Sequence, residues 1–198
     1  MDPYQKTVFQ DVSADGSNAA KAAPFKRKYV AVVYQGDTAF LNPFRDTVAF
    51  ATGVNLPTGS IAYVDASTGL ATPGVGAATA TNCPVPYLVY VGNDQKSVIS
   101  QEGNIAGGKV SLIPCTGYFR VTTTIFDTEA TYAAGDFLTA DVKAFDGLAG
   151  VGVATNGAKA YEDVVIGIAD GAAGVDHFDL PTLRFTCYFI PPVVAASN

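Results

Sequence analysis

Between Tyr132 and Pro192 the chain reads YAAGDFLTADVKAFDGLAGVGVATNGAKAYEDVVIGIADGAAGVDHFDLPTLRFTCYFIPP. Short apolar runs are cut by Asp146-Gly147, Asn156-Gly157 and Asp170-Gly171, dipeptides that supply the positive φ angles of tight hairpin turns. A helix needs an apolar stripe sustained well beyond the length of any run between these glycines. The pattern predicts a compact sheet of hairpins closing on a long final strand, LRFTCYFI at 183–190. Alternation there puts Phe185, Cys187 and Phe189 on one face and Thr186 and Tyr188 on the other. Pro191-Pro192 ends the ladder by removing two backbone donors.

The same grammar runs upstream. Strands are expected at YVAVVY (29–34), GSIAYV (59–64), PVPYLVYVG (84–92), SVIS (97–100), KVSLIP (109–114) and GYFRVTTTIF (117–126), rich in β-branched and aromatic residues. One helix-start signal stands out: Asn42 as N-cap, Pro43 at the first helical position and Gly53 as the stop. It predicts two to three turns, with Phe44, Val48 and Ala51 toward the core; TVAFA at 47–51 also reads as a strand, and the sequence leaves both open. The segment Leu70–Asn82, LATPGVGAATATN, has too little bulk to pack a core and reads as a loop or weak edge strand. Its Pro73 and Val75 are candidate contact residues. About ten strands and at most one or two short helices make a mainly β, antiparallel barrel, β-tulip or sandwich. Residues 29–198 are expected to form a β-rich domain, as one core or as two lobes near 29–126 and 130–192.

The charge is uneven. The whole chain carries −6. Residues 1–28 hold five basic groups (Lys6, Lys21, Lys26, Arg27, Lys28) against Asp2, Asp11 and Asp15, a net of +2, which leaves −8 for the rest. Ser17 can cap a short helix only as far as Pro24, so this leader is expected to be an extended arm, either solvated or docked on an acidic neighbour. A net acidic body argues against nucleic-acid binding, which calls for excess Lys and Arg. No apolar run reaches the roughly 20 residues of a membrane-spanning helix, and the N-terminus lacks the apolar core of a secretory signal. Cytosolic synthesis is the expectation. The three cysteines, Cys83, Cys115 and Cys187, form no CxxC pair and are expected to be buried thiols.

Chemistry-bearing constellations are sparse. His177 is the one histidine; with Asp176 and Asp179 it could ligate a cation, but aspartates bonded to their own backbone in a polar turn are the stronger reading. No serine sits in a GxSxG elbow. Cys187 lies mid-strand among large apolar residues, where thiols are inert. The glycine-rich run GLAGVGVATNG has neither the lysine nor the following helix of a phosphate cradle. Glu162-Asp163, Asp136 and Asp141 read as surface charge. The chain is therefore expected to be an assembly or binding protein and not an enzyme, with no cofactor and no resident metal.

Three pieces of the opening stretch carry a family resemblance: Tyr132-Ala133-Ala134-Gly135-Asp136-Phe137-Leu138, Asp146-Gly147, and Val165-Ile166-Gly167-Ile168-Ala169. Together they resemble tailed-bacteriophage head decoration, or capsid cement, proteins, in which a glycine-led strand, a "dG" hairpin and a "viGi" strand build a small β-barrel or β-tulip. The ending LRFTCYFIPPV also looks like that of a virion protein. The resemblance covers about residues 130–192. It implies a structural protein on the capsid surface, a homotrimer with the major capsid protein as partner, and no catalytic residues to transfer. The arm at 1–28 and the loop at 70–82 would then make the contacts. Another virion β-protein (minor capsid, tail or fibre base) and a carbohydrate-binding β-sandwich using tyrosines and aspartates are the alternatives.

Overall fold

The computed structural model describes residues 31–34, 46–51, 53–79, 82–90, 109–116, 119–176 and 179–193. Among them the chain forms twelve strands and no helix: β1 (Ala31–Tyr34), β2 (Asp46–Ala49), β3 (Ile61–Val64), β4 (Ala71–Pro73), β5 (Pro86–Tyr90), β6 (Lys109–Pro114), β7 (Arg120–Thr123), β8 (Phe137–Phe145), β9 (Leu148–Asn156), β10 (Val165–Ala169), β11 (Gly174–Val175) and β12 (Pro181–Ile190). The larger sheet runs β1-β7-β12-β10-β8-β9, with β11 paired to β12 beside this path; the smaller runs β2-β6-β5-β3-β4. Every ladder between these strands is antiparallel. The long final strand is a central one, flanked by β7 and β10.

The larger sheet nearly closes into a barrel. Past the end of β7, Phe126 meets Ala154 of β9 in a parallel bridge. Asp127 N donates to Ala154 O (2.8 Å), and Ala154 N donates to Ile125 O (3.4 Å). The edges of the smaller sheet also meet, at a parallel bridge between Phe50 and Ala71. Closure matters physically, because it covers the unpaired backbone groups that make free strand edges sticky.

The smaller sheet is buried on both faces. Ile61 and Leu88 join Leu138, Ile166 and Phe185 in the main core cluster. Their chain neighbours Ala62 and Val89 point the other way, into a second cluster with Phe50, Val110 and Leu112. Doubly buried strands need consecutive apolar residues instead of alternation, which is why YLV at 87–89 and LI at 112–113 read as continuous runs. A third, smaller cluster of Ile125, Val151 and Val153 is capped by Phe145 and Leu148 at the tip of the β8–β9 hairpin. The main cluster draws on residues from Ile61 to Cys187, so both halves of the chain share it.

Four sequence expectations change. The helix expected after Pro43 is replaced by strand β2, as in the alternative reading; Asn42, Pro43 and Phe44 lie outside the described residues, as does SVIS at 97–100. Of the three X-Gly dipeptides only Asp146-Gly147 makes a two-residue hairpin, with φ of 48° and 81° between paired Phe145 and Leu148. Asn156-Gly157 cannot join neighbours, because β9 and β10 are separated by β8. Third, Phe189 is only half-buried whereas Ile190 is buried. Opposite β10, Val165 pairs with Ile190 but Gly167 with Cys187; β12 thus holds one extra residue, and this bulge moves the buried face from odd to even positions. Finally, the 70–82 segment does contribute to packing: Ala71 belongs to the second cluster and Val75 packs against the main one.

Candidate contact surface

The two sheets are welded at Gly152. A β-carbon there would lie 1.9 Å from Ile61 O and 2.6 Å from Gly74 N, so only glycine lets β9 press against the β3–β4 hairpin. Gly74, with φ of 94°, donates its N–H to Ile61 O at 2.9 Å. Across the β8–β9 ladder Gly152 faces Val142, and a β-carbon on Gly74 would strike Val142 Cγ2 at 2.7 Å. Asn55 Nδ2 adds a bond to Ala149 O (2.6 Å).

This junction presents an apolar surface. Val142 is 57% exposed; Pro73 and Val75, which flank Gly74 in the chain, are half-buried, Val75 against the main core cluster. The 70–82 segment thus splits in burial: Ala71 and Val75 are packed, and its exposed portion includes Ala77, Thr79 and Asn82. Thr79 and Asn82 hold a tight turn, with Thr79 N donating to Asn82 O at 2.6 Å. Cys83 follows, half-buried, its thiol pushed up by burial. Lys6, Lys21, Lys26, Arg27 and Lys28, the basic contact candidates, lie outside the described residues.

A second exposed site lies at Tyr161, which is 62% exposed with φ of 67°. A left-handed tyrosine costs about 1–3 kcal/mol and persists only when its surroundings impose it. Here the frame is explicit. Lys159 N donates to Asp163 Oδ2 (2.9 Å), Glu162 N and Asp163 N donate to Lys159 O, and Val193 N donates to Tyr161 O at 2.7 Å. Val193 itself is 76% exposed. Sequence reasoning missed both residues, since a strained exposed tyrosine carries no periodic signal. For Val142 a signal did exist: β8 has nine residues, longer than the five or six of an average strand, so its far half outruns the core.

The polar groups act as fasteners. Asp127, at the barrel seam, accepts from Lys143 Nζ (2.5 Å), Glu129 N (3.1 Å) and Thr155 Oγ1 (3.4 Å). The lysine hydrogen bond, chiefly, holds its carboxyl below the ordinary value. Tyr132 Oη donates to Asp127 O at 2.8 Å; burial first, then the Asp127 charge, pushes its hydroxyl up to about 12. In the 176–180 turn, Asp176 Oδ1 accepts from Leu180 N (3.0 Å) and Asp179 has φ of 60°. His177 is outside the described residues. Among those described, no group of three His, Cys, Asp or Glu could hold a metal ion, and no helix is long and apolar enough to cross a membrane.

No protein-family model matches this chain, and no curated protein matches it significantly.

Proposed function

We propose that this chain is a structural virion protein that binds the outer surface of a bacteriophage capsid and reinforces the shell, acting as a trimer on the major capsid protein. One observation carries the reading. The three sequence pieces that resemble decoration proteins are contiguous parts of one barrel: Gly135, with φ of 93°, leads into β8; Asp146-Gly147 turns β8 into β9; and Val165–Ala169 is β10, hydrogen-bonded to β8. Gly167 is needed there because a β-carbon would lie 2.6 Å from Thr186 O. The shared pattern is therefore a scaffold pattern, and exposed side chains that take no part in the core remain for contacts.

Val142, Tyr161, Val175 and Val193 are such side chains. Each offers a modest apolar contact, and a trimer repeats each one three times. Multivalent attachment of this kind can strengthen binding about 10²–10⁴-fold without a large single interface. The test is to mix purified chain with expanded shells assembled from the major capsid protein of the same virus, then sediment and image them. The expected result is co-sedimentation with added density on the outer shell surface and a higher shell melting temperature. Shells that sediment alone and melt unchanged would overturn the reading.

A further inference from the structure

We propose that Cys115 and Cys187 form a redox-operated staple between the two sheets, open as two thiols in a reducing medium and closed as a disulfide in an oxidising one. Cys115 sits just past β6, its N–H bound to Pro86 O at 2.9 Å. Cys187 lies in the middle of β12, its N–H bound to Phe119 O at 2.8 Å. Phe119 follows Cys115 by four positions, so the chain leaving one cysteine lands against the strand that carries the other. Both side chains are 0% exposed within the same core cluster, and beyond the effect of burial Cys115 is a near enough neighbour to raise the Cys187 thiol further. A lone buried cysteine is a small hydrophobe. Two whose thiols meet across the packed faces of different sheets are also one oxidation step from a covalent link.

The chemistry balances with a small-molecule disulfide as oxidant. One cysteine loses its proton, and its thiolate attacks a sulfur of the reagent. A mixed disulfide forms and one reagent thiolate leaves. The second cysteine, likewise deprotonated, attacks the protein-side sulfur and expels the other. Two protein S–H bonds become one S–S bond, the reagent takes two electrons, and the two protons end on the two released thiols. Burial pushes the Cys187 thiol well up, so the step is slow in the native core and relies on brief local openings that admit the reagent while the two sheets stay packed.

The experiment uses the full chain carrying Cys83→Ser, a half-buried position, which leaves Cys115 and Cys187 as its only thiols. The protein is held a few degrees below its melting point with oxidised glutathione, then denatured and treated with a maleimide. The expected result is loss of both labelling sites, a 115–187 cross-linked peptide, and faster migration on a non-reducing gel. Closing so long a loop should also raise the melting temperature on the order of 10 °C, reversed by dithiothreitol. If both thiols remain fully labelled, the staple does not exist. A cross-link that forms only in denaturant, or that lowers the melting temperature, would equally overturn it.

Discussion

At Gly152 a single missing methyl group decides how closely two sheets approach. A β-carbon 1.9 Å from a carbonyl oxygen meets backbone on both sides, so no side-chain rotation relieves it. Gly152→Ala should cost on the order of 3 kcal/mol in urea unfolding. Gly171→Ala has no atom within 4 Å of the new carbon and should stay within about 0.5 kcal/mol. Equal effects would show that the approach of β9 to β3 is not rigid. Asp127 supplies a pH-dependent counterpart. Its folded pKa is depressed, so the unfolded chain binds protons more readily, and the stabilisation is present above the ordinary carboxylate value and lost as pH falls through the folded one. Lys143 is partly exposed, which limits the pair to about 0.5–1 kcal/mol. Lys143→Met should therefore lose that amount at neutral pH and unfold with a shallower pH slope below about pH 4. Parallel pH profiles for the two proteins would remove Asp127–Lys143 from the list of fasteners.

At the scale of elements, the β12 bulge separates what local pattern encodes from what pairing imposes. Alternation in LRFTCYFI assigns Phe189 to the core, and it holds through Leu183, Phe185 and Cys187. The phase then slips at the Val165–Gly167 register shift. Ile190→Ala should thus cost about 2–3 kcal/mol and Phe189→Ala clearly less, despite the larger ring; the reverse order in denaturant titrations would place the bulge elsewhere. The same division explains which elements were legible. KVSLIP was readable as β6 to the residue, and Asp146-Gly147 as a hairpin, because turn chemistry and strand composition are local. Asn156-Gly157 misled because its meaning depends on β8 lying between β9 and β10, a long-range fact. The helix signal at Asn42-Pro43 failed over 46–49 for a related reason: β2 gains a partner in β6, and tertiary pairing overrides a capping preference worth about 1 kcal/mol. In the contact surface, Pro73 and Val75 were visible as members of a small-residue segment. Val142 was legible only through the unusual length of β8, because the core's edge is set by the partner sheet.

For the whole molecule, the decisive quantity is the separation of charge. The first 28 residues carry +2 and the remainder −8, while the described barrel surface displays Asp141, Asp146, Glu162 and Asp163 as exposed acids. An acidic body repels its own copies at close range, so under the proposed shell attachment the basic residues of 1–28 and small apolar contacts would bring several copies onto one surface. Exposed charges act over about 8–10 Å at physiological salt and over less when salt is added. Binding to shells should therefore weaken with rising ionic strength, whereas thermal stability, set by the shared apolar core, should change little. Deleting residues 1–28 separates the two properties most directly. The truncated chain should melt within a few degrees of the full one, since a change of 1 kcal/mol moves a protein of this size by about 2–4 °C. Under the proposed function its affinity for shells should fall roughly tenfold or more, because every copy in the proposed multivalent complex loses the same contact. Equal affinity with and without the arm would assign attachment to the Val142 and Tyr161 surfaces alone, and the salt dependence should then disappear with it.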